Sequence, residues 1–167
     1  PSRTMPNVLL PVPHFEQSRD RACLPACVRM VLAYQGDDRT ESDVAALLGT
    51  KPFGTPISRV TRLQDWGYLG DITSLSQQQL TAHLDLREPV IARVWTGFLA
   101  HWTYSTPDVA TSHVATSHVV VVTGYDEGHV LLNDPGLTNA PLAVAWDEFL
   151  LAWAEFDETA VIIRRNP

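Results

Sequence analysis

Cysteine is scarce in this chain of 167 residues, which has only two, Cys23 and Cys27. Both fall in one short segment, so a bridge between them closes almost no loop, and a disulfide framework is excluded as the basis of stability. Long apolar runs are missing too. None reaches the roughly 18 residues that cross a bilayer, and the longest, centred on Val119–Val122, reads as a buried strand. Basic residues are outnumbered, 12 Lys and Arg against 19 Asp and Glu, for a net charge of −7. They are scattered apart from the pair Arg164–Arg165, which argues against a nucleic-acid partner, because phosphate binding needs clustered Lys and Arg. No Cys-x2-Cys pair is present, and no histidine ladder apart from the interval His113–His118, so neither a metal nor any other cofactor is expected. The glycines at Gly49 and Gly54 lack the glycine–lysine order of a phosphate loop. Pro1–Thr4 reads as an expression remnant ahead of a native start at Met5, and no basic-then-apolar signal peptide follows. A cytoplasmic protein with reduced thiols is the resulting expectation, and a trimmed secreted precursor gives the same pattern.

What remains is the composition of an ordinary globular domain, 45% apolar and 19% charged. Its length suits a single domain over 5–167. The first half reads as largely helical. Cys23–Tyr34 has Pro25 in its first turn, where no backbone N–H is needed, and Gly36 just past its end. Thr40 is placed to cap a helix over Glu41–Leu48, which Gly49 ends. A third helix is expected over Ile57–Trp66 and a fourth over Gln77–Leu84, capped by Ser76. The second half changes period. Strands are expected at Pro89–Trp95, His118–Thr123, His129–Leu132, Leu142–Ala145 and Thr159–Ile163, with a helix at Trp146–Ala154. Gly124–Gly128 supplies turn residues between the second and third of these strands. Helices first and an antiparallel sheet second make an α+β layout. A short tandem repeat, Ala-Thr-Ser-His-Val twice over Ala110–Val119, is too small to be an architectural unit.

Cys23 stands where a helix is expected to begin. The thiolate is the reactive form of cysteine, and a helix N-terminus favours negative charge through its dipole and unpaired N–H groups. Cys27 lies one turn deeper and suits a buried core role. A catalytic cysteine needs a base and a group to orient that base. His118 opens the apolar strand, and Asp134 follows the next one in Asn133-Asp134-Pro135. If the two strands pair through the Gly124–Gly128 turn, the start of one lies beside the end of the other, and the imidazole and carboxylate can meet. An oxyanion also needs donors. The Cys23 backbone N–H can supply one, and Gln17, six residues earlier, can bring a side-chain amide.

These residues carry a family resemblance. Gln17-x5-Cys23 followed by Leu-Pro-Ala-Cys-Val-Arg-Met-Val-Leu-Ala-Tyr-Gln-Gly36 resembles the opening of the bacteriocin-processing, double-glycine leader peptidases and their stand-alone relatives. The likeness continues in Gly54-Thr55 before a helix ending at Gly67, and in Glu88-Pro89-Val90-Ile91. It ends in Ser117-His118 through Gly124-Tyr125-Asp126, Asn133-Asp134-Pro135 and Phe149-x3-Trp153. The resemblance implies a papain-like cysteine peptidase fold, with Cys23 as nucleophile, His118 as base, Asp134 as its orienter and Gln17 as oxyanion donor. It also implies a peptide or protein substrate, cut after small residues. Two positions depart from the pattern. Leu24 stands where the family usually has glycine, and Ala22 where an acidic residue is common. A leucine beside the nucleophile can narrow the cleft, change specificity or mark a domain that binds without cutting. His113 shares the local context of His118, but only His118 leads directly into the long strand, so His113 is expected in the preceding loop. Acyl or peptidyl transfer on the same triad, and a non-catalytic peptide-binding module, stay open as alternatives to hydrolysis. Oligomeric state is not written in the sequence.

Overall fold

The unbroken apolar run at Val119–Val122 belongs to a strand covered on both faces. The computed structural model describes residues 6–103 and 115–167. In it β4 (Ser117–Tyr125) is buried over most of its length. Successive strand residues point to opposite faces, and here each face meets its own core. Val120 and Val122 pack with Leu80 and Leu84 of α3 (Gln77–Asp85) and with Phe149 and Trp153 of α5 (Trp146–Ala154). Val119 and Val121 pack with α1 (Cys23–Tyr34) and α2 (Glu41–Leu48). The same alternation divides Val90 and Ala92 from Ile91 in β3 (Val90–Trp95), and Ala160 and Ile162 from Val161 and Ile163 in β7 (Thr159–Arg165). A strand buried on both sides has no polar face to show, which is why it carries no polar alternation.

Among the described residues the sheet has seven strands in the order β2-β7-β3-β4-β5-β6, with the short β1 (Val8–Leu9) on the far end of β4. The other members are β2 (Tyr68–Ser74), β5 (His129–Asn133) and β6 (Leu142–Ala145). Every pairing is antiparallel. The fold is α+β, and the helices and most strands lie where the sequence places them. Caps account for several ends: the Thr40 side chain accepts from Asp43 N–H, and Ser76 forms a reciprocal capping box with Gln79. Gly49 closes α2 in the left-handed conformation that favours glycine.

Three expectations need correction. The order of helices first and sheet second is not strict, because β1 and β2 lie in the first half, and β2 pairs along its whole length with the C-terminal β7. The element at Ile57–Trp66 is a 3-10 helix. Its buried side chains, Val60 and Leu63, are three apart and share one face at three residues per turn. The turn after β4 is shorter than Gly124–Gly128, since the strand continues to Tyr125 across a register shift between Val122 and Gly124. Asp126 then closes the hairpin, its carboxylate accepting from the N–H groups of Gly128 and His129. Gly124 is required by β1: a Cβ there would lie 2.2 Å from the Val8 carbonyl oxygen. Among the described residues no helix is long and apolar enough to cross a membrane.

Candidate active site

The hairpin β4–β5 places Val121 opposite Asn133, so the start of one strand meets the end of the other. His118 and Asp134 are thereby joined: His118 Nε2 lies 2.7 Å from Asp134 Oδ1. With Nε2 committed to the carboxylate, Nδ1 is the ring nitrogen left for a thiol. Helix α1 begins against this point. The Cys23 thiol hydrogen-bonds the His118 side chain, and the backbone N–H groups of Leu24 and Val119 also point at the sulfur.

The electrostatics follow from this packing. Burial alone would raise the Cys23 thiol, but the bond to His118, its charge and the two N–H groups outweigh it, and the pKa falls below the ordinary value of 9.0. Burial would lower that of His118. The Asp134 charge and hydrogen bond, then those of Cys23, win instead and push it up to about 10. Burial would likewise raise Asp134, whereas the His118 charge and the donors around the carboxylate hold it well below the carboxylate range. These shifts favour a thiolate at Cys23 and an imidazolium at His118 backed by a carboxylate, with His118 only 5% exposed and Asp134 0% exposed.

Asp134 has more partners than the sequence foretells. Oδ1 also accepts from Gly136 N–H at 2.9 Å, while Oδ2 accepts from Trp102 Nε1 at 2.8 Å and lies 2.9 Å from His101 Nε2. Both new residues come from α4 (Ala100–Thr103), one turn of helix whose first N–H is accepted by the Glu148 carboxylate of α5. Trp102 also meets the His118 ring edge-on, with centroids 4.9 Å apart. A Cβ on Gly136 would come within 2.6 Å of the Trp102 ring, so glycine at that position makes room for it. Four residues are too few to show a period, so the sequence gives no sign of this contact.

Gln17 is tied to the same loop through its backbone, whose N–H donates to the Pro135 carbonyl at 2.7 Å. Its side-chain amide donates to the Arg19 carbonyl at 2.9 Å, and Oε1 is buried with no partner among the described residues. Thus Cys23, His118 and Asp134 form one connected chain, and Gln17 joins it by main chain only. Cys27 is fully buried, with its thiol on the Val119 carbonyl at 3.4 Å. Leu24 is 3% exposed and packs in the core beneath α1 with Cys27, Val28 and Val31, so it does not fill the cleft. Ala22 is buried as well. His113 lies outside the described residues.

Known proteins agree with this architecture. The family model described as the Peptidase_C39 like family matches residues 9–161. A chain from Bacillus anthracis described as a C39-like peptidase shares 18% identity with a TM-score of 0.75, over 98% of this chain and 100% of that one. The peptidase domain of Streptococcus ComA, a bifunctional ABC transporter involved in quorum sensing, shares 18% identity with a TM-score of 0.69, over 92% and 98% of the two chains. A double-glycine motif protease from an AMS/PCAT transporter, solved with its leader peptide, shares 18% identity with a TM-score of 0.70, over 96% of each chain. At such identities the structures speak for the fold alone. No curated protein matches the sequence significantly. With the family model spanning most of its length and the papain-like fold in place, this chain belongs to the Peptidase_C39 like family of cysteine peptidases.

Proposed function

We propose that the protein, acting as a single peptidase domain, hydrolyses a peptide bond through a Cys23–His118–Asp134 triad. The observation that carries this reading is the connected chain of thiol, imidazole and carboxylate, with the thiol lowered and the imidazole raised. The Cys23 thiolate attacks the scissile carbonyl carbon and forms a tetrahedral oxyanion. His118, already protonated, gives its Nδ1 proton to the leaving amine, and the C–N bond breaks to leave a thioester. His118 then takes a proton from water as it attacks the thioester, the C–S bond breaks to restore the Cys23 thiolate, and the acid product leaves and gives its proton to solvent. Asp134 stays ionised throughout and keeps the Nε2 proton of His118 in place. The Cys23 backbone N–H is one oxyanion donor. Gln17 is the second: its Nε2 carries another N–H besides the one given to Arg19.

A peptide with small residues before the scissile bond is the substrate class, by analogy with the transporter protease solved with its leader peptide. Two free thiols suit a reducing, cytoplasmic compartment. The non-catalytic alternative rested on Leu24, and the burial of that side chain removes its main support. Mass spectrometry of a peptide library digested by the protein tests the proposal. Cleavage after small residues is expected, with none from Cys23→Ala. Cleavage that survives Cys23→Ala would overturn the assignment, and a product carrying an added amine in place of water would favour acyl transfer.

A further inference from the structure

Asp134 is shared by two histidines, and a Cys–His–Asp mechanism uses only one of them. An ionised carboxylate offers about four lone-pair positions. Here all four are taken: His118 and Gly136 on Oδ1, His101 and Trp102 on Oδ2. We propose that His101 is a second positioning histidine of this site, holding Oδ2 of Asp134 so that Oδ1 stays on His118.

A carboxylate bonded through one oxygen only can turn about its Cβ–Cγ bond, and the partner imidazole then turns with it. Fixing Oδ2 removes that freedom and keeps His118 with Nε2 on the carboxylate and Nδ1 toward Cys23. His101 can do this only as a donor through Nε2, as His118 donates through its own Nε2 to Oδ1. Its base is firm. Thr96 N–H bonds the Thr116 carbonyl and Thr116 N–H bonds the Thr96 hydroxyl, so the segment before α4 is laced to the residue before β4. Glu148 holds the start of α4 from α5. Trp102 shares the contact with Oδ2 but also packs on the His118 ring, so its removal would confound two effects. His101 reaches the reacting groups through Asp134 and is the cleaner probe. Among the described residues, the titratable side chains gathered about Asp134 are His118 from β4, His101 from α4 and, from α1, Cys23 and Cys27.

This inference rests on the triad proposed above, and one experiment separates the two. The rate of Cys23 alkylation by iodoacetamide is followed against pH in the whole protein, with the site of modification checked by mass spectrometry. Wild type, His101→Ala, His101→Gln and His118→Ala are compared, each verified as folded by circular dichroism. His101→Ala is expected to move the acid limb of the profile up by about one pH unit, a roughly tenfold loss of reactive thiolate below the limb. His101→Gln keeps an N–H donor of similar reach and is expected to recover most of that loss, which a merely structural role for the ring would not produce. An acid limb at the ordinary thiol position in wild type would overturn the triad reading itself. A low wild-type limb that His101→Ala leaves in place, or a glutamine variant shifted as far as the alanine one, would overturn the role of His101 alone. Should His101→Ala not fold, the comparison of wild type with His101→Gln decides: a large shift in the glutamine variant refutes the proposal, and a wild-type-like limb supports it.

Discussion

Cys23 and Cys27 are identical side chains one helical turn apart, and their surroundings drive them in opposite directions. Both are desolvated, which disfavours the thiolate. At Cys23 the His118 side chain and two backbone N–H groups reverse that and lower the pKa; at Cys27 nothing does, and the neighbouring Cys23 and Asp134 charges push the thiol further up. Even the shared neighbour is used differently, for the N–H of Val119 faces the first sulfur and its carbonyl accepts from the second. Reactivity here is thus a property of which backbone atom and which ring a thiol meets, and the residue type alone does not carry it.

Removing His118 should erase most of the difference between the two thiols. In His118→Ala the cation is gone and burial is opposed only by the two N–H groups, so the alkylation limb of Cys23 should climb toward 9.0 or beyond. Turnover of a cleaved peptide should drop by about 10²–10⁴-fold, the range that general acid–base groups supply. Asp134→Asn comes next. An amide must aim its N–H pair at two of the four donors now facing the carboxylate, so both turnover and melting temperature should fall. The sign of the pH effect is fixed by the direction of the shift. A carboxyl held below its unfolded value of 3.8 contributes stability above that pH and loses it as pH falls through the folded value. Acid unfolding curves of the asparagine variant should therefore lack that component.

Leu24→Gly addresses the helix beneath the two thiols. It keeps the N–H that faces Cys23 but deletes a buried side chain and loosens the first turn, so it should cost about 3–5 kcal/mol in denaturant unfolding while leaving the alkylation limb in place. A limb that moves would mean that the leucine shapes the site as well as the core. The smallest effect is expected from Cys27→Ala, about 1–3 kcal/mol for a small void and a carbonyl left without its weak donor. Cys23 should stay as reactive as before.

Much of this site was legible in the residues. The long elements that carry Cys23 and His118 have clear periods, and the Gly- and Asp-containing turn at 124–128 implies the hairpin that joins His118 to Asp134. Even the direction of Leu24 is visible in hindsight, since Leu24, Cys27, Val28 and Val31 fall on one helical stripe. Other parts left no such trace. β2 exposes most of its residues and is a strand because β7 pairs with it residue by residue. The four residues of α4 have no period, and their meaning lies in a carboxylate more than thirty positions away.

By itself, the order of residues determined a helix beginning at Cys23, a buried strand beginning at His118, a hairpin after it and the membership of the Peptidase_C39 like family. These depend on local preference and on patterns a few residues long. Only the tertiary structure decided that the charges of Cys23 and Asp134 push the buried Cys27 thiol further up, and that Asp134 answers to His101 and Trp102 as well as to His118. The physical reason is that burial and hydrogen bonding to a shared carboxylate are properties of distant segments brought together, and no local pattern encodes which segments will meet.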